Sequence, residues 1–150
     1  PIEMSKKWKS KNIGWEQWQL VDTDIAERFP YTAELISAIP TSAVHRVRFM
    51  KLAPNGGELS RHTDQVDPDI GVRDGKLVRL HVPILTNPFV SFSSWDLQGN
   101  GYSANMGPGS LWYLDIRKPH TAINRGWTER IHLVVDVESN SDIREILQRS

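Results

Sequence analysis

From Val44 onward the chain is a run of short extended segments separated by turn residues, and no segment alternates a strand with a helix of crossover length. That pattern argues against a parallel α/β sheet, which needs repeated βα units. Val44 to Leu52 alternates, with His45, Val47 and Phe49 on one face and Arg46, Arg48 and Met50 on the other. Pro54-Asn55-Gly56-Gly57 predicts a turn, and Glu58 to Asp64 a short strand. Gln65 to Lys76, with Asp67-Pro68-Asp69, reads as a polar loop. Leu77 to Leu85, Phe89 to Trp95, Tyr102 to Met106, Ser110 to Asp115, Thr121 to Asn124 and Glu129 to Val137 follow as strands, divided by Gln98-Gly99-Asn100-Gly101, Gly107-Pro108-Gly109 and Arg125-Gly126. About eight strands at this spacing predict a mainly β sandwich or barrel. Helices flank it. Asp22 to Ile39 has helical spacing broken by Pro30, so two short helices are expected, and Asn140 or Ser141 can cap a helix over Asp142 to Gln148.

The 150 residues suit one domain, with the strand core at 44–137. There are 18 basic and 18 acidic side chains, so net charge gives no reason to expect nucleic acid or an anionic membrane as partner. No apolar run approaches the roughly 20 residues that span a bilayer. Ser5-Lys6-Lys7-Trp8-Lys9 lacks a signal-peptide pattern, and a cytoplasmic location is expected. The chain has no cysteine, so disulfides, thiolate metal sites and cysteine nucleophiles are excluded and any metal must take nitrogen and oxygen ligands. Six tryptophans (Trp8, Trp15, Trp18, Trp95, Trp112, Trp127) read as core and groove-lining rings.

His62 and Asp64 lie two positions apart, and His120 opens a later strand. Together they would make a two-histidine, one-carboxylate facial triad, the ligand set of non-haem Fe(II) oxygenases. The other reading of His62-Thr63-Asp64 is a hydrogen-bonded surface turn. Arg130, ten residues after His120, shares a strand face with His132 and Val134, opposite Ile131, Leu133 and Val135. An arginine in a barrel interior needs an anion, and a carboxylate fits it bidentately. On a surface it would pair with Glu129 or Asp136 instead. Arg79 and His81 share one face of an otherwise apolar strand, either as an anion pocket or as the outward face of a half-buried sheet. His45 and His132 read as structural or exposed. Arg46 and Arg48 read as a solvated face or as the lining of a substrate mouth.

The order of these segments resembles a known family. Leu52-Ala53-Pro54-Asn55-Gly56-Gly57-Glu58-Leu59-Ser60-Arg61-His62-Thr63-Asp64, Arg79-Leu80-His81-Val82-Pro83-Ile84, Gly109-Ser110-Leu111-Trp112-Tyr113-Leu114-Asp115, His120-Thr121-Ala122-Ile123-Asn124 and Arg130-Ile131-His132-Leu133 are similar to the aspartyl/asparaginyl β-hydroxylases and to bacterial proline 3-hydroxylases. The resemblance covers residues 44 to 137. It implies a double-stranded β-helix, a cupin-like jelly roll. It implies a 2-oxoglutarate- and Fe(II)-dependent dioxygenase that hydroxylates an amino acid, free or in a peptide, consuming O2 and releasing succinate and CO2. His62, Asp64 and His120 would be the metal ligands and thereby the catalytic residues. Arg130 would take the distal carboxylate of 2-oxoglutarate, with Arg79 and His81 in support. The animal aspartyl hydroxylases carry glycine where this chain has Asp64, so a full triad is expected here. The alternative of another class is a non-catalytic cupin-like module that holds a metal or anion.

Overall fold

Period-two alternation over nine residues builds the three longest strands: β1 (Val44–Leu52), β3 (Leu77–Leu85) and β8 (Arg130–Glu138). Between them lie β2 (Gly57–His62), β4 (Val90–Trp95), β5 (Gly101–Ala104), β6 (Trp112–Leu114) and β7 (His120–Asn124). This computed structural model describes residues 27–41, 43–64 and 76–148. The expected helix start at Asp22, the tryptophans at 8, 15 and 18, and the polar loop 65–75 lie outside the described residues. The chain divides into two compact units, Pro1–Leu35 and Ile36–Ser150.

The eight strands form two antiparallel four-stranded sheets, ordered β1-β8-β3-β6 and β2-β7-β4-β5. Strands distant in sequence are neighbours in each sheet, which is the wiring of a double-stranded β-helix. β8 is central, paired with β1 from Leu52↔Arg130 to Val44↔Val137 and with β3 from Leu85↔Ile131 to Leu77↔Glu138. Both of its edges are therefore hydrogen-bonded, and Leu133, Val134, Val135 and Val137 are at most 1% exposed. Between the sheets, Met106, Leu114 and Ile116 are buried, with Phe92 of one sheet and Trp112 of the other packed against them.

The expected breaks appear where turn chemistry demands them. Asn55 and Gly56 have φ of 58° and 101°, a left-handed pair that asparagine and glycine accept at low cost. Asn124, fully buried, ties the turns at this end together. Its amide donates to the carbonyls of Ala53 (3.1 Å) and Thr128 (2.8 Å), and its oxygen accepts from Gly126 N (3.1 Å) and Asn87 Nδ2 (3.1 Å). Helix α1 (Pro30–Ser37) begins at the proline, where the missing N–H costs nothing, and Phe29 before it is not helical. Helix α2 (Ser141–Gln148) is capped by Asn140, whose Oδ1 accepts from Ile143 N at 2.9 Å. Among the described residues no helix is long and apolar enough to cross a membrane.

Candidate metal and anion site

The faces of the two sheets that look at each other are unusually polar. In register across β1, β8, β3 and β6, the inward positions are Arg48, Met50 and Leu52; Arg130, His132, Val134 and Asp136; Arg79, His81 and Pro83; and Trp112 and Leu114. On β1 this inverts simple hydropathy. Val47 and Phe49 are 42% and 41% exposed while Arg48 on the other face is half-buried.

From the opposite sheet come the candidate metal ligands. His62 on β2 pairs directly with His120 on β7. Their rings lie 4.3 Å apart, centroid to centroid, and Phe92 stacks on His120 at 5.7 Å. Asp64 follows β2, and its backbone N–H donates to Ile116 O at 2.9 Å, which draws it toward the segment leading into β7. One ligand atom from each of His62, Asp64 and His120 lies within 4.8 Å of the others.

The hydrogen bonds fix how those histidines present themselves. His62 Nδ1 donates to Ser60 O (2.6 Å) and His120 Nδ1 to Lys118 O (2.9 Å), since a carbonyl can only accept. Each neutral ring then carries its lone pair on Nε2, the arrangement by which backbone carbonyls orient metal-binding imidazoles. Burial lowers the pKa of His120, which favours that neutral form. His62 Nε2 faces Asp64 Oδ1 at 3.2 Å. Two atoms bearing lone pairs at that separation repel unless a cation, a proton or a metal ion, is shared between them. The donor set therefore fits a divalent metal.

Arg79 holds the carboxylate in place. It bonds Asp64 Oδ2 through Nη1, and grips Asp136 bidentately through Nε (2.6 Å) and Nη2 (3.0 Å). Burial works against its charge, but the Asp136 bonds and the two carboxylate charges outweigh that and raise its pKa. Arg48 Nη1 also approaches Asp136 Oδ2, at 3.6 Å. Burial and the neighbouring Arg79 lower the pKa of Arg48.

Arg130 differs from both. It is 4% exposed, and its Nη2 donates to His132 Nδ1 at 2.9 Å. Its Nε has no hydrogen-bond partner, and no ion pair is made by it among the described residues. Burial alone pushes its pKa down to about 10, still protonated at neutral pH. Among the described residues the interior thus sets the guanidiniums of Arg48, Arg79 and Arg130 against the carboxylates of Asp64 and Asp136, and Arg130 pairs with neither. His81 and His132 complete this corner, their Nδ1 atoms 3.4 Å apart and their rings nearly perpendicular. Desolvation, with the neighbouring His132 and Arg130, pushes His81 down to about 2, and desolvation with Arg130 pushes His132 down to about 3.

The structure brings together all six candidates from the sequence. His62, Asp64 and His120 form one cluster. Arg79, His81 and Arg130 lie on one face of the facing sheet, and among the described residues Arg79 is bound to two carboxylates and Arg130 to none. Sequence reasoning gives His132 and Asp136 no part in the site, and of its two readings of Arg48, a solvated face or the lining of a substrate mouth, the inward one holds. Strand alternation carries the signal, because His132 and Asp136 fall two and six residues beyond Arg130. His45, read as structural or exposed, lies 3.3 Å from Glu138 Oε1 through its Nε2.

The fold is a jelly roll that carries a His-Asp-His cluster able to hold a metal ion and, on the facing sheet, a buried arginine with no ion pair among the described residues. A family model for aspartyl/asparaginyl β-hydroxylases matches residues 2–140, and the chain belongs to that family. It is 28% identical over 120 residues to the L-proline cis-4-hydroxylase of Rhizobium meliloti (strain 1021), a match that covers 79% of this chain and 39% of that protein. The chain therefore spans well under half the length of that relative. Among solved structures, a Pseudomonas putida prolyl-4-hydroxylase aligns over 93% of this chain and 79% of its own, with a TM-score of 0.51 and 16% identity. The nickel complex of the non-heme monooxygenase ThoJ aligns over 78% of this chain and 54% of its own, with a TM-score of 0.53 and 16% identity. At that identity these two support the fold.

Proposed function

We propose that the chain is a 2-oxoglutarate- and Fe(II)-dependent dioxygenase domain that hydroxylates an amino acid, free or within a peptide. One substrate C–H becomes C–OH, with O2 and 2-oxoglutarate consumed and succinate and CO2 released. The observation that carries this reading is a buried arginine, without a carboxylate partner among the described residues, on the same interior as the His62–Asp64–His120 cluster. The names of the family and of the proline hydroxylase relative support the reaction class and a small amino-acid substrate.

His62 and His120 would hold the iron through Nε2, and Asp64 through the oxygen that Arg79 leaves free. The metal, when bound, supplies O2 activation. The protein's part is to orient and enclose. Arg130 gives the distal carboxylate of 2-oxoglutarate its counter-charge in a low-dielectric pocket, where a bidentate pair is strong. Arg79 and His81 border the same interior, Arg79 acting on Asp64.

The test is succinate formation by the purified chain with Fe(II), O2, 2-oxoglutarate and a panel of amino acids that includes L-proline. The expected product gains one oxygen. Unchanged turnover in His62→Ala or Asp64→Ala would overturn the ligand assignment. Tight binding of metal and 2-oxoglutarate without succinate from any substrate would favour a non-catalytic cupin-like module.

A further inference from the structure

His132 is 1% exposed, and the proposed reaction as described gives it no role. Its hydrogen bonding is nevertheless determined. A guanidinium has donors only, so the 2.9 Å contact from Arg130 Nη2 makes His132 Nδ1 the acceptor. The proton of the neutral ring therefore sits on Nε2. The hydrogen between the Nδ1 atoms of His81 and His132, 3.4 Å apart, then belongs to His81. This leaves His132 Nε2–H as a buried donor with no acceptor among the described residues, and Arg130 Nε–H is a second such donor two residues away on the same strand face. Native interiors rarely leave such donors unmade, and an orphaned pair beside an unpaired cation points to an anionic ligand.

We propose that His132 is a ligand-binding residue: its Nε2–H and the guanidinium of Arg130 together hold the distal carboxylate of 2-oxoglutarate. The inference rests on the assignment of Arg130 to that carboxylate. Arg130 brings the charge and His132 a neutral, directional hydrogen bond. His132 accepts from Arg130 at one ring nitrogen and donates at the other, so a single side chain both aims the guanidinium and completes the site. Among the described residues that corner carries the one charge of Arg130 beside two neutral imidazoles, which matches one terminal carboxylate and disfavours a phosphate dianion.

Three variants separate these duties. His132→Gln carries an amide N–H near the Nε2 position. His132→Asn keeps an acceptor near Nδ1 for Arg130 and drops the far donor. Arg130→Ala removes the cation. Binding of 2-oxoglutarate to the Mn(II)-loaded chain, without O2, is measured by calorimetry, and folding by thermal melting. His132→Asn should weaken binding roughly tenfold or more, the loss typical of a hydrogen bond to a charged group, while His132→Gln retains most of it. The loss should vanish for 2-oxobutyrate, which chelates alike and lacks the distal carboxylate. If His132→Asn binds 2-oxoglutarate like the parent, or loses 2-oxobutyrate equally, the donor role is overturned. If instead Arg130→Ala binds 2-oxoglutarate like the parent, the assignment beneath it falls too.

Discussion

Acidification should destabilise this fold through His81 and His132. In the unfolded chain each imidazole takes up a proton as pH falls through about 6.5. In the folded protein His81 resists until about 2 and His132 until about 3, because burial and then the charges around them, His132, Arg130, Arg79 and Arg48 for His81 and Arg130 for His132, oppose the cation. Between those limits the unfolded state binds more protons, so unfolding free energy rises with pH and is lost as pH falls. Each histidine contributes about 1.4 kcal/mol per pH unit in that window. From about pH 7 to about pH 5 this is roughly 2 kcal/mol each and about 4 kcal/mol together, a large part of the ~5–15 kcal/mol that holds a domain. Burial lowers His120 as well and adds in the same direction. Urea unfolding at several pH values, followed by circular dichroism, gives the dependence. Its attribution comes from His132→Gln, which removes one titrating group and should flatten the change between pH 7 and 5 by about 2 kcal/mol. A pH dependence in His132→Gln equal to that of the parent would refute the reasoning. So would a His132 resonance titrating near 6.5 in the folded protein.

Two further outcomes follow from named contacts. Asp136→Asn should weaken divalent-metal binding by about 10- to 100-fold, because Asp136 holds the Arg79 guanidinium that holds Asp64, and such outer partners typically matter by that factor; equal metal affinity by calorimetry would show that Asp64 needs no such support. Asn124→Ala should cost roughly 3 kcal/mol or more in urea unfolding, since it strips partners from the carbonyls of Ala53 and Thr128 and from Gly126 N in a buried turn, and a loss below about 1 kcal/mol would contradict the assigned role.

Much of this architecture is legible in the amino-acid sequence. Alternation over Val44–Leu52, Leu77–Leu85 and Arg130–Glu138 marks these strands to within a residue, because a pleated strand writes a period of two into its own sequence. Asn55-Gly56, Pro30 and Asn140 mark turn, helix start and cap for reasons equally local. The grouping of His62, Asp64, Arg79, His81, His120 and Arg130 is legible only through the order of whole segments. His132 reads from the sequence as structural or exposed although it shares a face with Arg130, since nothing local distinguishes a histidine facing a buried guanidinium from one facing water.

The sequence by itself determined the long strands, the main turns and which side chains have metal-binding or anion-binding chemistry, while two short strands, expected at Tyr102 to Met106 and Ser110 to Asp115, form over Gly101–Ala104 and Trp112–Leu114. Where that chemistry meets was decided by tertiary pairing, and the clearest case is His62. Strict alternation along β2 would put His62 on the face of Glu58 and Ser60 and turn Arg61 inward with Leu59. In the fold Leu59 pairs with Ala122 and His62 with His120, so three steps on β2 match two on β7. That bulge leaves both Ser60 and Arg61 exposed and turns His62 inward beside His120. Arg61 goes outward over the Trp95 ring at 4.2 Å. An extra residue between two paired positions exists only relative to the partner strand, 58 residues away at His120, so no reading of β2 alone could have found it.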